Sequence, residues 1–201
     1  MPFTSKATGG VNLMNLSVKA ALNGLNMDRD FMVLRPRRWW VKASQFAWSR
    51  VRGGSYPRLG PVMYSTGEVA SSGRALEEAL LKAWLSTMPS KVPKKNALVY
   101  TYDERFVKAI DEIRNRLSRW LIVLDDTEDT KVLLKQGSVD ILITGGGDTR
   151  DVDYTTRRLA ADTATPIILH PSLGLELTRA FEWLMRSGKY VIEELLETEL
   201  S

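Results

Sequence analysis

Cysteine is absent from the 201 residues of the chain, and histidine occurs once, at His170. Without cysteine there is no disulfide framework, no thiolate metal site and no cysteine nucleophile, which fits a reducing cytosol. No apolar run approaches the roughly 20 residues that span a bilayer, and the first residues lack the charged and then apolar layout of a signal peptide. We therefore expect a cytoplasmic protein.

The composition that remains is ordinary for a soluble globular protein, with 44% hydrophobic and 26% charged residues. The length allows one large domain or two small ones. The net charge of +4 conceals an asymmetry, because residues 1–92 carry 13 basic and 5 acidic side chains and the remainder carries 15 and 19. Such a division predicts two units with different surroundings.

The densest basic run, from Arg35 to Lys42, mixes arginine with tryptophan. Cations meet phosphates and aromatic rings stack on bases, so nucleic-acid binding is one interpretation. A single run without a recognised module favours the other interpretation, a basic loop that enters a strand and faces an acidic part of a larger protein.

In the first half of the chain the pattern predicts two helices and two strands. A helix over 11–22 should bury one face, and strands are expected over 39–48 and 63–69. Ser71-Ser72-Gly73 should break the chain before a helix over 74–86. Four tryptophans fall in this part and predict an apolar surface that requires a partner: Trp39, Trp40, Trp48 and Trp84.

Beyond a linker with two prolines and three lysines, at 87–95, strands and helices alternate. The apolar strands and their helices predict a small doubly wound parallel sheet covered on both faces, with a binding edge at the strand carboxyl ends. The predicted strands are 97–100, 120–124, 139–144 and 166–169, and the predicted helices are 103–117 (with Phe106 and Val107 inward), 131–135, 152–164 and 172–187. A short amphipathic helix is expected over 190–200.

A glycine-rich loop follows the third of these strands, where successive backbone N–H groups can approach an anion closely. It lacks the Gly-Lys-Ser/Thr of a P-loop and the dinucleotide fingerprint, and a flexible loop is the alternative interpretation. The candidate anion-binding residues of this loop are Thr144, Gly145, Gly146, Gly147, Thr149 and Arg150.

The loop over 125–130 holds four carboxylates and two hydroxyls. Carboxylates repel phosphate, so the loop favours a metal, another cation or a helix N-cap at Asp126 or Thr127. Arg157 and Arg158 suit anion contacts, but only one of two adjacent helical residues can face a given site. His170 follows the fourth strand and is either a hydrogen-bonded loop residue or a candidate ligand contact.

Two stretches of the first half carry a resemblance. Ser65-Thr66-Gly67-Glu68-Val69, followed by Gly73-Arg74 and the Glu77 to Ala83 run, resembles the end of the second ATP-grasp unit of carbamoyl-phosphate synthase large subunits. The segment from Pro2 to Gly9 resembles the one that follows the metal and phosphate ligands in that family. The resemblance implies that the chemistry lies upstream, with no catalytic residue and no cofactor here, and with ATP and Mg or Mn used by the complete enzyme.

The second half resembles the methylglyoxal-synthase-like domain that ends these subunits. The matching segments are Leu134 to Ile143, Arg157-Arg158-x-Ala160 and Pro166-Ile167-Ile168. In the family this flavodoxin-like domain binds allosteric effectors, which implies Thr127 and Thr130 as phosphate-side candidates. The implied division is an ATP-grasp tail over 1–88, a linker over 89–95, the regulatory domain over 96–188 and a tail helix over 189–201.

The sequence also departs from the family. Asp103 stands where effector-responsive relatives carry a lysine, and Gly145 and Gly146 replace their asparagine and threonine. Ala43 stands where ornithine-responsive relatives have glutamate, and the segment between Thr130 and Leu134 is too short for the excursion that supplies a further lysine. These departures disfavour a nucleotide monophosphate site of the usual kind. The chain also lacks the aspartates that methylglyoxal synthase uses, which disfavours that lyase activity.

The resemblance implies the C-terminal portion of a carbamoyl-phosphate synthase large subunit, an enzyme of pyrimidine and arginine biosynthesis. Its expected partners are the rest of that subunit, the glutaminase small subunit and a small anionic effector, with no membrane or nucleic acid. The alternative is a free-standing regulatory module that binds an anionic metabolite.

Overall fold

The computed structural model describes residues 13–23, 38–45, 67–145 and 153–187. Within those ranges no helix has the length and apolar character that crossing a membrane requires. The predicted helix over 190–200, the strand residues before Gly67 and Trp48 lie outside the described residues. So do Gly146, Gly147, Thr149 and Arg150 of the glycine-rich loop.

The described chain is an α/β fold of six helices and six strands. The helices are α1 Leu13–Asn23, α2 Leu76–Leu85, α3 Val107–Leu117, α4 Glu128–Lys135, α5 Tyr154–Asp162 and α6 Pro171–Ser187, with a 3-10 turn at Glu104–Phe106 before α3. The strands are β1 Trp39–Gln45, β2 Gly67–Gly73, β3 Asn96–Thr101, β4 Ile122–Leu124, β5 Ile141–Gly145 and β6 Ile167–Ile168.

Four parallel strands form the central sheet in the order β4-β3-β5-β6. The central strands β3 and β5 are buried on both faces, because α3 and α6 cover one face and α4 and α5 cover the other. This confirms the doubly wound parallel sheet that the alternating apolar segments predict. The chain passes from β3 to β4 and then crosses to β5 on the other side of β3, so the topological switch point lies between β3 and β5. Ligands of such sheets bind at that point.

Helix α6 lies very close to β5, and glycine permits the approach. A Cβ added at Gly174 would lie 2.6 Å from Ile143 Cγ2 and 3.2 Å from Ile113 Cδ1. Any side chain at this position would therefore push α6 away from the sheet.

The small residues at 71–73 continue a strand, so the predicted chain break there is wrong. They pair antiparallel with β1 as Trp39↔Gly73 and Val41↔Ser71. Their small size serves packing against α2, since a Cβ at Gly73 would lie 2.6 Å from the backbone nitrogen of Ala79 and Ser71 Oγ donates to the Ala79 carbonyl at 2.6 Å. The helix α2 begins at Leu76, after Arg74 and Ala75.

Helix α2 packs against α6 and belongs to the main core of the sheet domain. Leu81 is fully buried in the same cluster as Ile113, Leu177 and Phe181. The Trp84 ring meets Phe181 edge-on with centroids 6.3 Å apart, and its Nε1 donates to the Lys91 carbonyl. Trp84 therefore has its partner within the chain, whereas Trp39 is 55% exposed.

Two other burial expectations are wrong. Val107 is 44% exposed, because α3 begins there and its inner face is formed by Ile110, Ile113 and Leu117 instead. On α1 the side chains of Met14, Val18 and Leu22 are half or more exposed, where a buried face is expected from the sequence.

Asp140 fastens the 91–95 segment to the start of β5. Its carboxylate lies 2.8 Å from Lys91 Nζ and accepts from the backbone nitrogens of Lys94 and Lys95 at 2.9 and 2.7 Å. Burial acts to raise the pKa of this carboxyl, but the Lys91 ammonium and the two N–H donors outweigh burial and hold the pKa below its ordinary value of 3.8.

We expect Asp140→Asn to lower the free energy of unfolding by about 1–2 kcal/mol near neutral pH. Because the folded-state pKa is lowered, this stabilisation is present above the ordinary Asp pKa and is lost as the pH falls through the folded value. Urea unfolding at several pH values should show the variant and the parent converging in acid. Asp111→Asn, on the exposed side of α3, is the control, and an equal loss in both variants would contradict the prediction.

Candidate functional site at the carboxyl edge of the sheet

The side chains that follow β3, β4 and β5 meet at the carboxyl edge of the sheet. Two tyrosines at the end of β3, Tyr100 and Tyr102, lie on the α4/α5 side with ring centroids 5.5 Å apart. Their hydroxyls reach two aspartates that belong to different loops. The edge at the switch point is therefore lined by a phenol and carboxylate network.

The deeper half of this network is a buried ion pair. Asp153 and Arg157 are one helical turn apart. Two nitrogens of Arg157, Nε and Nη2, lie 2.9 and 2.8 Å from Asp153 Oδ1. Tyr100 donates its hydroxyl to Asp153 Oδ2 at 3.2 Å. Burial first, and then the charges of Asp153 and Asp126, raise the pKa of Tyr100, so the phenol stays protonated and donates.

The outer half is centred on Asp126, directly after β4. Its Oδ2 accepts from the Tyr102 hydroxyl at 3.0 Å and its Oδ1 accepts from Thr156 Oγ1 at 2.7 Å. Burial and the hydrogen bond to Asp126 raise the pKa of Tyr102 to about 12. Asp126 thus links the end of β3 to α5 across the edge.

Thr127 and Thr130 bind each other and the first turn of α4. Thr127 is the N-cap, since its hydroxyl accepts from the Thr130 N–H at 3.2 Å, which confirms one of the two predicted caps. The two hydroxyls are 3.0 Å apart, and Thr130 Oγ1 donates to the Asp125 carbonyl at 2.7 Å. Thr130 is buried, whereas Thr127 is exposed at the edge.

Thr144 lies beside Tyr100 at the end of β5 and is only 2% exposed. Its hydroxyl has no hydrogen-bond partner of standard geometry among the described residues, although it lies close enough to help lower the pKa of the Tyr100 phenol. A buried hydroxyl without a partner is costly, so an acceptor or donor at this edge would stabilise it.

The other predicted residues lie on different sides of the edge. Arg157 points into the network, whereas Arg158 pairs with Asp162 at 2.9 Å toward solvent, which answers which of the two faces the edge. His170 stacks edge-on against Phe106 with centroids 5.9 Å apart, on the α3/α6 side. Gly145 packs there too, where an added Cβ would lie 2.5 Å from Pro171 Cγ.

Asp103, at the position where the resemblance leads one to expect a lysine, holds Arg105. The Arg105 Nε lies 2.9 and 3.1 Å from the two Asp103 oxygens. The guanidinium carbon also stands 5.5 Å from the centroid of the Phe106 ring. Asp103 therefore forms a local ion pair with Arg105 and caps the 3-10 turn before α3.

The sequence did not single out Tyr100, Tyr102, Asp153 or Thr156 as site residues. Two signals point to them: tyrosines two residues apart at the end of a strand share one face, and Asp153 stands four residues before Arg157 on a helix. In the part of the chain that the structure describes, no group of three or more His, Asp or Glu side chains could hold a metal ion.

Comparison with curated proteins finds large chains of carbamoyl phosphate synthase. The chain is 47% identical to that of Pyrobaculum aerophilum over 194 residues, which is 94% of this chain and 19% of the relative. It is 39% identical to the large chain of Pyrococcus furiosus over 98% of its length, and 39% identical to that of Saccharolobus solfataricus over 90%. No protein-family model matches the chain.

The matches confirm the resemblance to carbamoyl-phosphate synthase large subunits. The chain is homologous to a portion of these large chains and spans about a fifth of their length.

Proposed function

We propose that this chain, as a homologue of about a fifth of the carbamoyl phosphate synthase large chain, supplies the regulatory module of that cytoplasmic enzyme. The complete enzyme would make carbamoyl phosphate from bicarbonate and from ammonia or glutamine nitrogen, with ATP as the phosphoryl donor. The observation that carries the proposal is 47% identity to the large chain of Pyrobaculum aerophilum over nearly the whole of this chain.

The role proposed for the module is to bind and to transmit, with the catalytic groups elsewhere in the large chain. Support comes from an edge that is built of hydroxyls and a paired arginine. The effector site we propose lies at this edge and includes Thr127, Thr130 and Thr144. ATP, Mg or Mn, the rest of the large chain and the glutaminase subunit are partners of the assembly in this proposal.

The domain division is part of the same proposal, with one modification. We assign 96–188 to the regulatory domain and 189–201 to its tail, and we add α2 to the packed unit because Leu81 lies in the same core as Phe181. The residues that precede α2, which include β1 and β2, form the part that we expect to face the remainder of the large chain.

A hybrid enzyme tests the proposal. The matching fifth of the Pyrobaculum aerophilum large chain is replaced by this chain, and ATP-dependent carbamoyl phosphate formation is measured with ammonia as the nitrogen source. We expect activity in the hybrid, none from the isolated chain, and a large loss when the segment is deleted. An active isolated chain, or an inactive but folded hybrid, would contradict the proposal.

The alternative of a free-standing metabolite sensor is not favoured by the relatives. It predicts that the isolated chain is stabilised by UMP, IMP, UTP or N-acetylglutamate in a thermal-shift titration, since a ligand that binds the folded state raises the melting temperature by mass action. Saturable stabilisation together with an inactive hybrid would support this alternative.

A further inference from the structure

Among the described carboxylates of the carboxyl edge, Asp126 is the one that is held by hydroxyl groups of two other elements. Tyr102, after β3, and Thr156, in α5, each donate to a different oxygen of this side chain, at 3.0 and 2.7 Å. Among the described residues no Lys or Arg nitrogen lies within ion-pair distance of it. The neighbouring carboxylates Asp125, Glu128 and Asp153 each have a cation: Arg114, Lys131 and Arg157.

This arrangement is the one that an oxyanion bound from solution would have. A phosphate or carboxylate held at the end of a parallel sheet takes hydroxyl donors from the surrounding loops and lies near a helix N-terminus, here that of α4. Asp126 directly precedes the Thr127 N-cap of α4, and its carboxylate takes the hydroxyl donors of the two neighbouring elements, Tyr102 and Thr156.

A second observation concerns a buried hydroxyl at this edge. The hydroxyl of Thr144, buried at the end of β5 beside Tyr100, has no hydrogen-bond partner of standard geometry among the described residues. Arg157, the buried cation of the edge, is engaged by Asp153. Among the described residues, an entering phosphate would therefore meet the uncompensated carboxylate of Asp126 beside the neutral Asp153–Arg157 pair.

We propose that Asp126 acts as a built-in anion that occupies the oxyanion position at this edge and excludes phosphate from it. Like charges in close proximity repel strongly in a partly buried site, so the carboxylate acts both by filling the position and by its charge. Asp126 would then be the residue that determines whether this module responds to phosphorylated effectors. The inference rests on the edge being the effector site proposed above.

Substitution of Asp126 tests the inference directly on the full chain. Asp126→Ala removes the carboxylate and leaves the Tyr102 and Thr156 hydroxyls without their acceptor. The probes are inorganic phosphate and UMP, titrated at constant ionic strength against chloride, with the melting temperature as the readout and phosphorus NMR line width as a second readout. We expect the apparent Kd for phosphate to fall at least about tenfold relative to the parent chain.

Asp129→Ala is the matched control, because it removes the same charge and the same atoms. Asp129 is the second residue of α4. Its side chain is exposed and makes no hydrogen bond or ion pair among the described residues. We expect it to behave as the parent chain does. An equal gain in both variants would show that the effect is one of overall charge and would overturn the inference.

Asp126→Ser is a second variant that keeps a small polar group if the alanine variant folds poorly. A folded variant of either kind that binds phosphate no better than the parent overturns the inference. The parent chain is itself a test. Saturable binding of phosphate with Asp126 in place would also overturn the inference. None of these outcomes depends on carbamoyl phosphate formation, so failure here is distinguishable from failure of the hybrid enzyme.

Discussion

Arg157→Ala is expected to lower the free energy of unfolding by about 3–5 kcal/mol. The side chains of Arg157 and Asp153 are 3% and 6% exposed, so removal of the guanidinium leaves a carboxylate buried without its cation. The Tyr100 hydroxyl is then the remaining donor on Asp153 in this network, and a single neutral hydrogen bond does not replace the lost charge. Urea unfolding followed by tryptophan fluorescence measures the loss.

Arg158→Ala is the matched control for this prediction. Arg158 is the adjacent residue of the same helix, and its pair with Asp162 faces solvent. Exposed helical pairs contribute roughly 0.3–0.5 kcal/mol, so this variant should be nearly as stable as the parent chain. Asp153→Asn added to Arg157→Ala removes the unpaired charge and should recover part of the loss. Equal effects of the two single alanine variants would contradict the burial of the Arg157 pair.

Leu81→Ala is expected to cost about 2–5 kcal/mol, because Leu81 is fully buried in the core that also contains Phe181. The cavity would lie between α2 and α6, which are on opposite sides of the proline and lysine segment in the sequence. If α2 belongs to the sheet domain, unfolding stays a single transition that moves to lower urea concentration. If 1–88 is a separate unit, only one of two transitions should move.

Val107→Ala is the control for the Leu81 prediction. Val107 is 44% exposed at the start of α3, and truncation of an exposed valine usually changes stability by about 0.5 kcal/mol or less. A loss for Leu81→Ala as small as that for Val107→Ala would show that α2 does not complete the core.

Local pattern was sufficient for the sheet domain. The segments that became β3 and β5 are apolar on both faces, and helix-forming segments separate them, so a covered parallel sheet and its carboxyl edge could be predicted. Thr127 as an N-cap could be predicted for the same reason, because capping depends on residues three positions apart.

Contacts between distant segments were not predictable in this way. Leu81 reaches Phe181 across a segment whose prolines and lysines indicate a boundary, and no periodicity records that the two helices pack together. The Ser71 to Gly73 strand was missed because small residues indicate a turn unless a helix is known to pack on them. Asp126 could be placed at the edge, but its two hydroxyl donors come from other elements.

Helix α6 has a mechanical consequence. It is 17 residues long, which corresponds to about 25 Å, and it begins at Pro171 against Gly145 and carries Phe181 against Trp84 of α2. Gly174 leaves no space for a side chain between α6 and β5, and Gly73 leaves none between β2 and α2. We therefore expect a displacement of α6 at the carboxyl edge to move α2 as well, because the two helices pack together.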